Sequence, residues 1–123
     1  MARVKFTIGE TEVQAEWNNS ETARRLYEAL PFEASGNYWG GEFYFPVPVK
    51  APAEKDAKEV VEPGTVTYWP DGACLCLFWG PTPASQGQEC RAASKVNIVG
   101  RVLDPAVLRK LKARRVRVEA APS

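Results

Sequence analysis

Apolar and polar residues alternate over the first seventeen positions. Val4, Phe6 and Ile8, then Val13, Ala15 and Trp17, recur at every second place on either side of Gly9-Glu10-Thr11. A period of two puts each set on one face of a strand, so Arg3–Ile8 and Glu12–Trp17 predict an opening β-hairpin with one buried face. The period then lengthens. Ala23, Leu26, Tyr27 and Leu30 fall at i, i+3, i+4 and i+7, the spacing of a helical face. Asn18-Asn19-Ser20 offers capping side chains, Glu21 suits a first turn, and Pro31 stops the element, which predicts a helix over about Ser20–Leu30.

The middle of the chain is richer in β-formers and in breakers. Phe32–Tyr38 is a weaker strand-like stretch. Trp39-Gly40-Gly41 leads into Glu42–Val49, where Pro46 and Pro48 imply an edge strand or a bent one. Lys50–Glu59 is polar and predicts a surface loop or flap, and Val60-Val61 restarts a strand. Pro63–Ser85, PGTVTYWPDGACLCLFWGPTPAS, is the most informative stretch. Thr65–Trp69 predicts a strand, and Pro70-Asp71-Gly72 a turn, with Pro presetting one φ and Gly free to take a positive one. Ala73–Trp79 is an unbroken apolar run, too short for a typical helix, and predicts a buried strand. Thr82–Ser94 is small and polar, the composition of a long loop, with Thr82, Ser85 and Gln86 as donors and acceptors at a mouth. Lys95–Val102 alternates as a strand in which Asn97, Val99 and Arg101 share a face. Asp104-Pro105 opens a brief second helix carrying Val107, Leu108 and Leu111. Arg115–Glu119 alternates as a closing strand.

About eight strands and two helices without βαβ alternation predict a mainly β fold. The expected architecture is a closed, mostly antiparallel eight-stranded barrel with the two short helices capping its ends, and a sandwich is the fallback. Residues 1–123 form a single domain by this reading, with no repeat or linker.

Composition narrows the function. The 123 residues are 45% hydrophobic and 25% charged, with a net charge of +1. No global field selects nucleic acid or an acidic membrane surface. The basic run from Arg109 to Arg117 falls mostly on solvated faces of a helix and a strand, and no nucleic-acid partner is expected. No apolar run approaches the ~20 residues that span a bilayer. With no signal-peptide pattern the expected location is the cytoplasm. There is no histidine. This removes the commonest general base and metal ligand, and every Ser-His or Cys-His pair. The three cysteines, Cys74, Cys76 and Cys90, fall short of the about four thiolates of a Cys-only zinc site. No metal and no cofactor is expected, and no phosphate-binding or dinucleotide motif is present.

Four stretches carry a family resemblance: NNSETARRLYEALP at Asn18–Pro31, WGGEFYFPVPV at Trp39–Val49, GTVTYWPDGACLCLFWGPTP at Gly64–Pro83 and VNIVGRV at Val96–Val102. The chain resembles the small prokaryotic cyclophilin-like domain proteins, an atypical cyclophilin-like family of unknown function, over nearly its whole length. The resemblance implies an eight-stranded cyclophilin-like barrel with a helix at each end. True cyclophilins are peptidyl-prolyl cis/trans isomerases that use an arginine among apolar and aromatic residues. Their Phe-His-Arg run and the following Phe-x-x-Gln-Gly are missing here, and the corresponding Asn37–Phe45 holds no arginine. Fold membership therefore does not transfer the activity. The superfamily also resembles halves of urea- and oxoproline-processing enzymes, which points by analogy to amide-bearing ligands.

The candidate site is drawn from two aromatic stretches. Trp39, Tyr44, Trp69 and Phe78 could line a groove suited to proline rings or planar amides, although a small barrel also needs large side chains in its core. Glu42, between Gly41 and an aromatic run, could bind a backbone amide or act as an acid or base if buried. Asn97 and Arg101 would join the site if their face lines it, with Arg101 replacing the isomerase arginine. Three readings stay open. The first is a binding module for a peptide segment or small amide-containing ligand. The second is a peptidyl-prolyl isomerase with a rebuilt site using Arg101 or Glu42. The third is a structural or interaction domain, with a homo-oligomer left open.

Overall fold

The computed structural model describes residues 2–122. The opening hairpin forms as β1 (Ala2–Ile8) and β2 (Thr11–Trp17), paired from Ala2–Trp17 to Ile8–Thr11. Helix α1 spans Glu21–Ala29, and the Ser20 hydroxyl accepts from Ala23 N at 3.1 Å to cap it. Its buried face is Thr22, Ala23 and Leu26. Tyr27, expected inside, is 40% exposed. The stripe is rotated because Thr22 turns inward to hydrogen-bond, as described below.

The next strands are β3 (Phe32–Ser35), β4 (Asn37–Tyr38), β5 (Glu42–Pro46), β6 (Lys58–Val61), β7 (Thr65–Trp69), β8 (Cys74–Phe78), β9 (Cys90–Val102) and β10 (Arg115–Ala120). A 3-10 helix, Pro105–Lys110, precedes β10, with Pro at its start and no side-chain cap from Asp104. The sheet runs in the order β3-β10-β1-β2-β9-β7-β8-β5-β4, and β6 pairs with β9 off that path.

The fold is thus mainly β, but it is not the closed eight-stranded barrel that the sequence predicts. Among the described residues ten strands form, and no hydrogen-bonded ladder joins the two ends of the path. The ends are β3 and β4, which are neighbours in sequence separated by Gly36 alone. Phe32–Tyr38 is split there because its two halves pair with different strands, β10 and β5. Gly36 permits the crossing: a Cβ would stand 2.5 Å from the Phe43 ring and 2.7 Å from the Tyr44 carbonyl. Gly36 N donates to Arg114 O at 2.7 Å, and Arg114 Nε returns a bond to Gly36 O at 3.1 Å.

One face of the sheet holds the main core. Val4, Phe6, Val13, Trp17, Phe43, Phe45, Val66, Tyr68, Leu75 and Leu77 pack there, joined by Leu26 of α1 and by Leu108 and Leu111. The other face of β5, β7 and β8 carries a smaller cluster of Cys74, Cys76, Phe78, Cys90, Ala92, Val96 and Val61. This second cluster exists because β9 is thirteen residues long and serves three ladders. Its later half pairs with β7 and β2, while its earlier half pairs with β6. Composition alone made Cys90–Ser94 a loop; packing of Cys90 and Ala92 against β8 makes it a strand.

The central turn differs in one detail. Ala73, not Gly72, takes the positive φ, at 52°. Gly72 is needed for space, since a Cβ would stand 2.5 Å from a Trp69 ring carbon. β5 is not an edge strand: it lies between β8 and β4, and Pro46 ends it. The Lys50–Glu59 flap is pinned rather than free. Asn97 Oδ1 accepts from Glu54 N at 2.8 Å, and Asn97 Nδ2 donates to Thr22 Oγ1 at 2.9 Å and Pro52 O at 3.0 Å. The Glu54 carboxylate completes the latch, accepting from Thr22 N at 3.0 Å and from the Thr22 hydroxyl.

Candidate functional site

A pocket of about 250 Å³ opens on the second face of the sheet. Strand alternation builds it. On β5, Phe43 and Phe45 enter the main core, so Glu42 and Tyr44 face the other way. On β8, Leu75 and Leu77 point to the core and Cys76 faces the pocket. Trp69, at the end of β7, and Trp39, in the turn before β5, supply the remaining aromatic walls. Ala92, Ala93 and Val96 of the early half of β9 complete the lining.

The turn that positions Trp39 and Glu42 is rigidly held. Gly40 has φ +62°, a conformation that favours glycine. Trp39 N donates to Glu42 O at 2.9 Å, Gly41 N to Pro81 O at 2.7 Å, and Trp79 N to Gly41 O at 2.8 Å. A Cβ on Gly41 would meet the Gly80 backbone at 2.5 Å, so two glycine backbones are in direct contact here. Trp69 is fixed by its indole N–H, which donates to Ser94 Oγ at 2.6 Å; Ser94 in turn donates to Asp71 Oδ2 at 2.5 Å.

Glu42 is 5% exposed. Among the described residues no lysine or arginine lines the pocket. Burial pushes its carboxyl up to about 7, opposed only by a hydrogen bond with the Cys76 thiol. Burial, and then the neighbouring Glu42, push Cys76 well above the ordinary thiol range; Cys74 is raised by the same two causes. Both thiols therefore stay protonated and are poor nucleophiles. The Thr67 hydroxyl, on β7 opposite Cys76, is buried without a well-formed hydrogen bond and lies close enough to the thiol to oppose that rise. The chemistry on offer is one carboxyl poised to ionise near neutrality, set in aromatic walls.

Four of the seven residues singled out from the sequence, Trp39, Glu42, Tyr44 and Trp69, line this one pocket. The other three do not. Phe78 is fully buried in the smaller cluster, opposite Glu42 in the ladder. Asn97 is fully buried on the core side, where it holds the flap. Arg101 is exposed in a separate groove with Glu16, Lys58 and Glu62. Asn97 and Arg101 do not share a face, because a bulge at Val99 leaves that residue unpaired with β7 and reverses the alternation beyond it. Arg101 pairs with Thr65, four residues from Trp69 along β7, which is roughly 13 Å at 3.3 Å per residue. It is therefore not a replacement for the isomerase arginine within the aromatic pocket.

Thr82 and Ser85, expected at a mouth, are spent inside their loop. Thr82 Oγ1 donates to Arg91 O at 2.5 Å and Ser85 Oγ donates to Glu89 O at 2.5 Å. Backbone N–H groups of Gln86 and Gly87, with Arg91, hold the Glu89 carboxylate down to about 2. Of the C-terminal basic run, Arg115 and Arg117 pair with Glu33 at 2.8 and 3.0 Å. The lining residues that sequence reasoning missed are Cys76, Ala92, Ala93 and Val96. Alternation with Leu75 and Leu77 was the signal for Cys76; no local signal marked the alanines. Among the described residues no group of three or more metal-ligating side chains occurs, and no helix is long and apolar enough to cross a membrane.

Comparison with known proteins agrees with this architecture. No protein of curated function matches the sequence. The solution structure of the hypothetical protein AF2241 from Archaeoglobus fulgidus superposes with a TM-score of 0.81 at 36% identity, covering 98% of this chain and 95% of that one. The Cyclophilin-like family profile matches residues 2–119. With a profile match over nearly the whole chain and a neighbour 36% identical across it, the chain belongs to the cyclophilin-like family.

Proposed function

We propose that the protein is a binding module whose ligand, a peptide segment or a small amide-containing molecule, sits in the pocket of Trp39, Tyr44 and Trp69 with Glu42 as its polar anchor. One observation carries this reading. Glu42 is buried in a mostly apolar pocket with no cationic partner among the described residues, at a cost that the Cys76 thiol offsets only in part. A carboxyl held that way is useful when a ligand supplies the missing partner. The aromatic walls fit planar or apolar groups, and the pocket is of side-chain size. The hydrogen-bonded turn at Trp39–Glu42 and the Trp69–Ser94–Asp71 chain preorganise the walls, which lowers the ordering cost of binding.

The test is a two-dimensional NMR screen with short proline-containing peptides and small amides. Binding at this site shifts the Trp39 and Trp69 indole signals and the Glu42 and Tyr44 amides together. A screen in which these four stay fixed, or in which shifts cluster around Arg101 instead, overturns the proposal.

A further inference from the structure

We infer that the occupant of this pocket carries a positive charge: an organic ammonium group of side-chain size, held by the Glu42 carboxylate with its carbon skeleton among Trp39, Tyr44 and Trp69. The inference rests on the binding-module reading and names the chemical class of the ligand.

Charge complementarity carries it. Several other carboxylates have partners within the chain: Glu33 has Arg115 and Arg117, Glu54 has Thr22, and Glu89 has Arg91 and backbone N–H groups. Glu42 is the most deeply buried acid and has no ion pair among the described residues. The groups packed around it are neutral. Its own strand presents Tyr44, β8 presents Cys76 and Cys74, β7 presents Thr67 and Trp69, and β9 presents Ala92, Ala93 and Val96. The nearby cations of β9 do not supply the charge: Arg91 is engaged by Glu59 and Glu89, and Lys95 is exposed. A buried carboxylate without a partner is unfavourable, and a ligand cation is the direct remedy. The walls favour the same ligand, because the faces of Trp and Tyr rings attract cations, most strongly when water is excluded.

A neutral amide could also hydrogen-bond Glu42, through its carbonyl to the protonated acid or through its N–H to the carboxylate. Only the first of these responds to pH with the opposite sign to an ammonium ion. Ammonium binding needs the ionised carboxylate and strengthens as pH rises through about 7. Amide binding by the protonated acid weakens over the same range.

The experiment is an NMR titration of the full chain with n-butylammonium, 1-butanol and N-methylacetamide at pH 6 and pH 8.5, repeated with Glu42→Gln. Butylammonium should shift the Trp39 and Trp69 indole signals and bind about tenfold more tightly at the higher pH, following the ionised fraction of Glu42. Glu42→Gln should abolish that gain. If N-methylacetamide binds and butylammonium does not, or if butylammonium binds equally at both pH values and to Glu42→Gln, the inference is wrong while the pocket remains a binding site. If none of the three compounds shifts these signals, the binding-module reading falls with it.

Discussion

Glu42 makes folding depend on pH in a defined direction. Its carboxyl is raised from 4.5 to about 7, so between those values the folded state holds a proton that the unfolded chain has released. Stability then falls as pH rises through this window, by roughly 3 kcal/mol in all at 1.36 kcal/mol per unit. Below about pH 4.5 the two states are equally protonated and the effect disappears. Glu42→Gln removes the penalty, so urea unfolding should find the variant gaining on the parent by about 2–3 kcal/mol on going from pH 5 to pH 8. An equal difference at both pH values would mean that the carboxyl is paired or hydrated after all. Asn97 is the opposite kind of buried polar residue, with both ends of its amide bonded. Asn97→Ala strands the Glu54 N–H and loosens the flap, with an expected loss of roughly 2–4 kcal/mol in the same urea assay. Glu42 was legible in the sequence as a carboxylate between glycine and aromatic residues. Asn97 was legible only as a polar residue in a strand, because its partners lie 43 and 75 positions away.

Strands whose burial follows a simple alternation, the hairpin of β1 and β2 and the closing β10, could be read directly from residue order. β9 could not, and the reasons are local. Its first half is held by β6 and by the smaller cluster, neither of which leaves a mark on Cys-Arg-Ala-Ala-Ser. Its second half contains the bulge at Val99, which turns Arg101 away from the side that Asn97 faces. Gly100, just after the bulge, pairs with Trp17 of β2. A Cβ there would overlap the Glu16 carbonyl and stand 2.8 Å from Trp17 Cα. Gly100→Ala should therefore cost more than about 2 kcal/mol, because backbone rather than a flexible side chain must move. Gly80→Ala, whose Cβ would find its nearest neighbour at 3.8 Å, should stay within about 1 kcal/mol of the parent. Thermal unfolding of the pair checks the contrast; equal losses would contradict the assigned register.

At the scale of the molecule, the fold keeps its core on one side of the sheet and its pocket on the other. The pocket exists because the early half of β9, paired with β6, packs against the outward face of β5, β7 and β8. Its aromatic walls were legible because aromatic residues at Trp39, Tyr44 and Trp69 cluster beside turn-forming glycines and prolines. Its division from the Arg101 groove was not, because that depends on one unpaired residue in one strand. Arg101→Ala should accordingly leave binding at the pocket unchanged within twofold in the NMR titration, whereas Trp69→Ala should weaken it at least tenfold. The pocket is organised around a single group, a carboxyl buried among aromatic walls without a cationic partner among the described residues. Following the Glu42 side-chain carboxyl carbon by ¹³C NMR from pH 4 to pH 9 tests this most directly. A midpoint near 7 is the predicted result, and a midpoint near the ordinary 4.5 would contradict it.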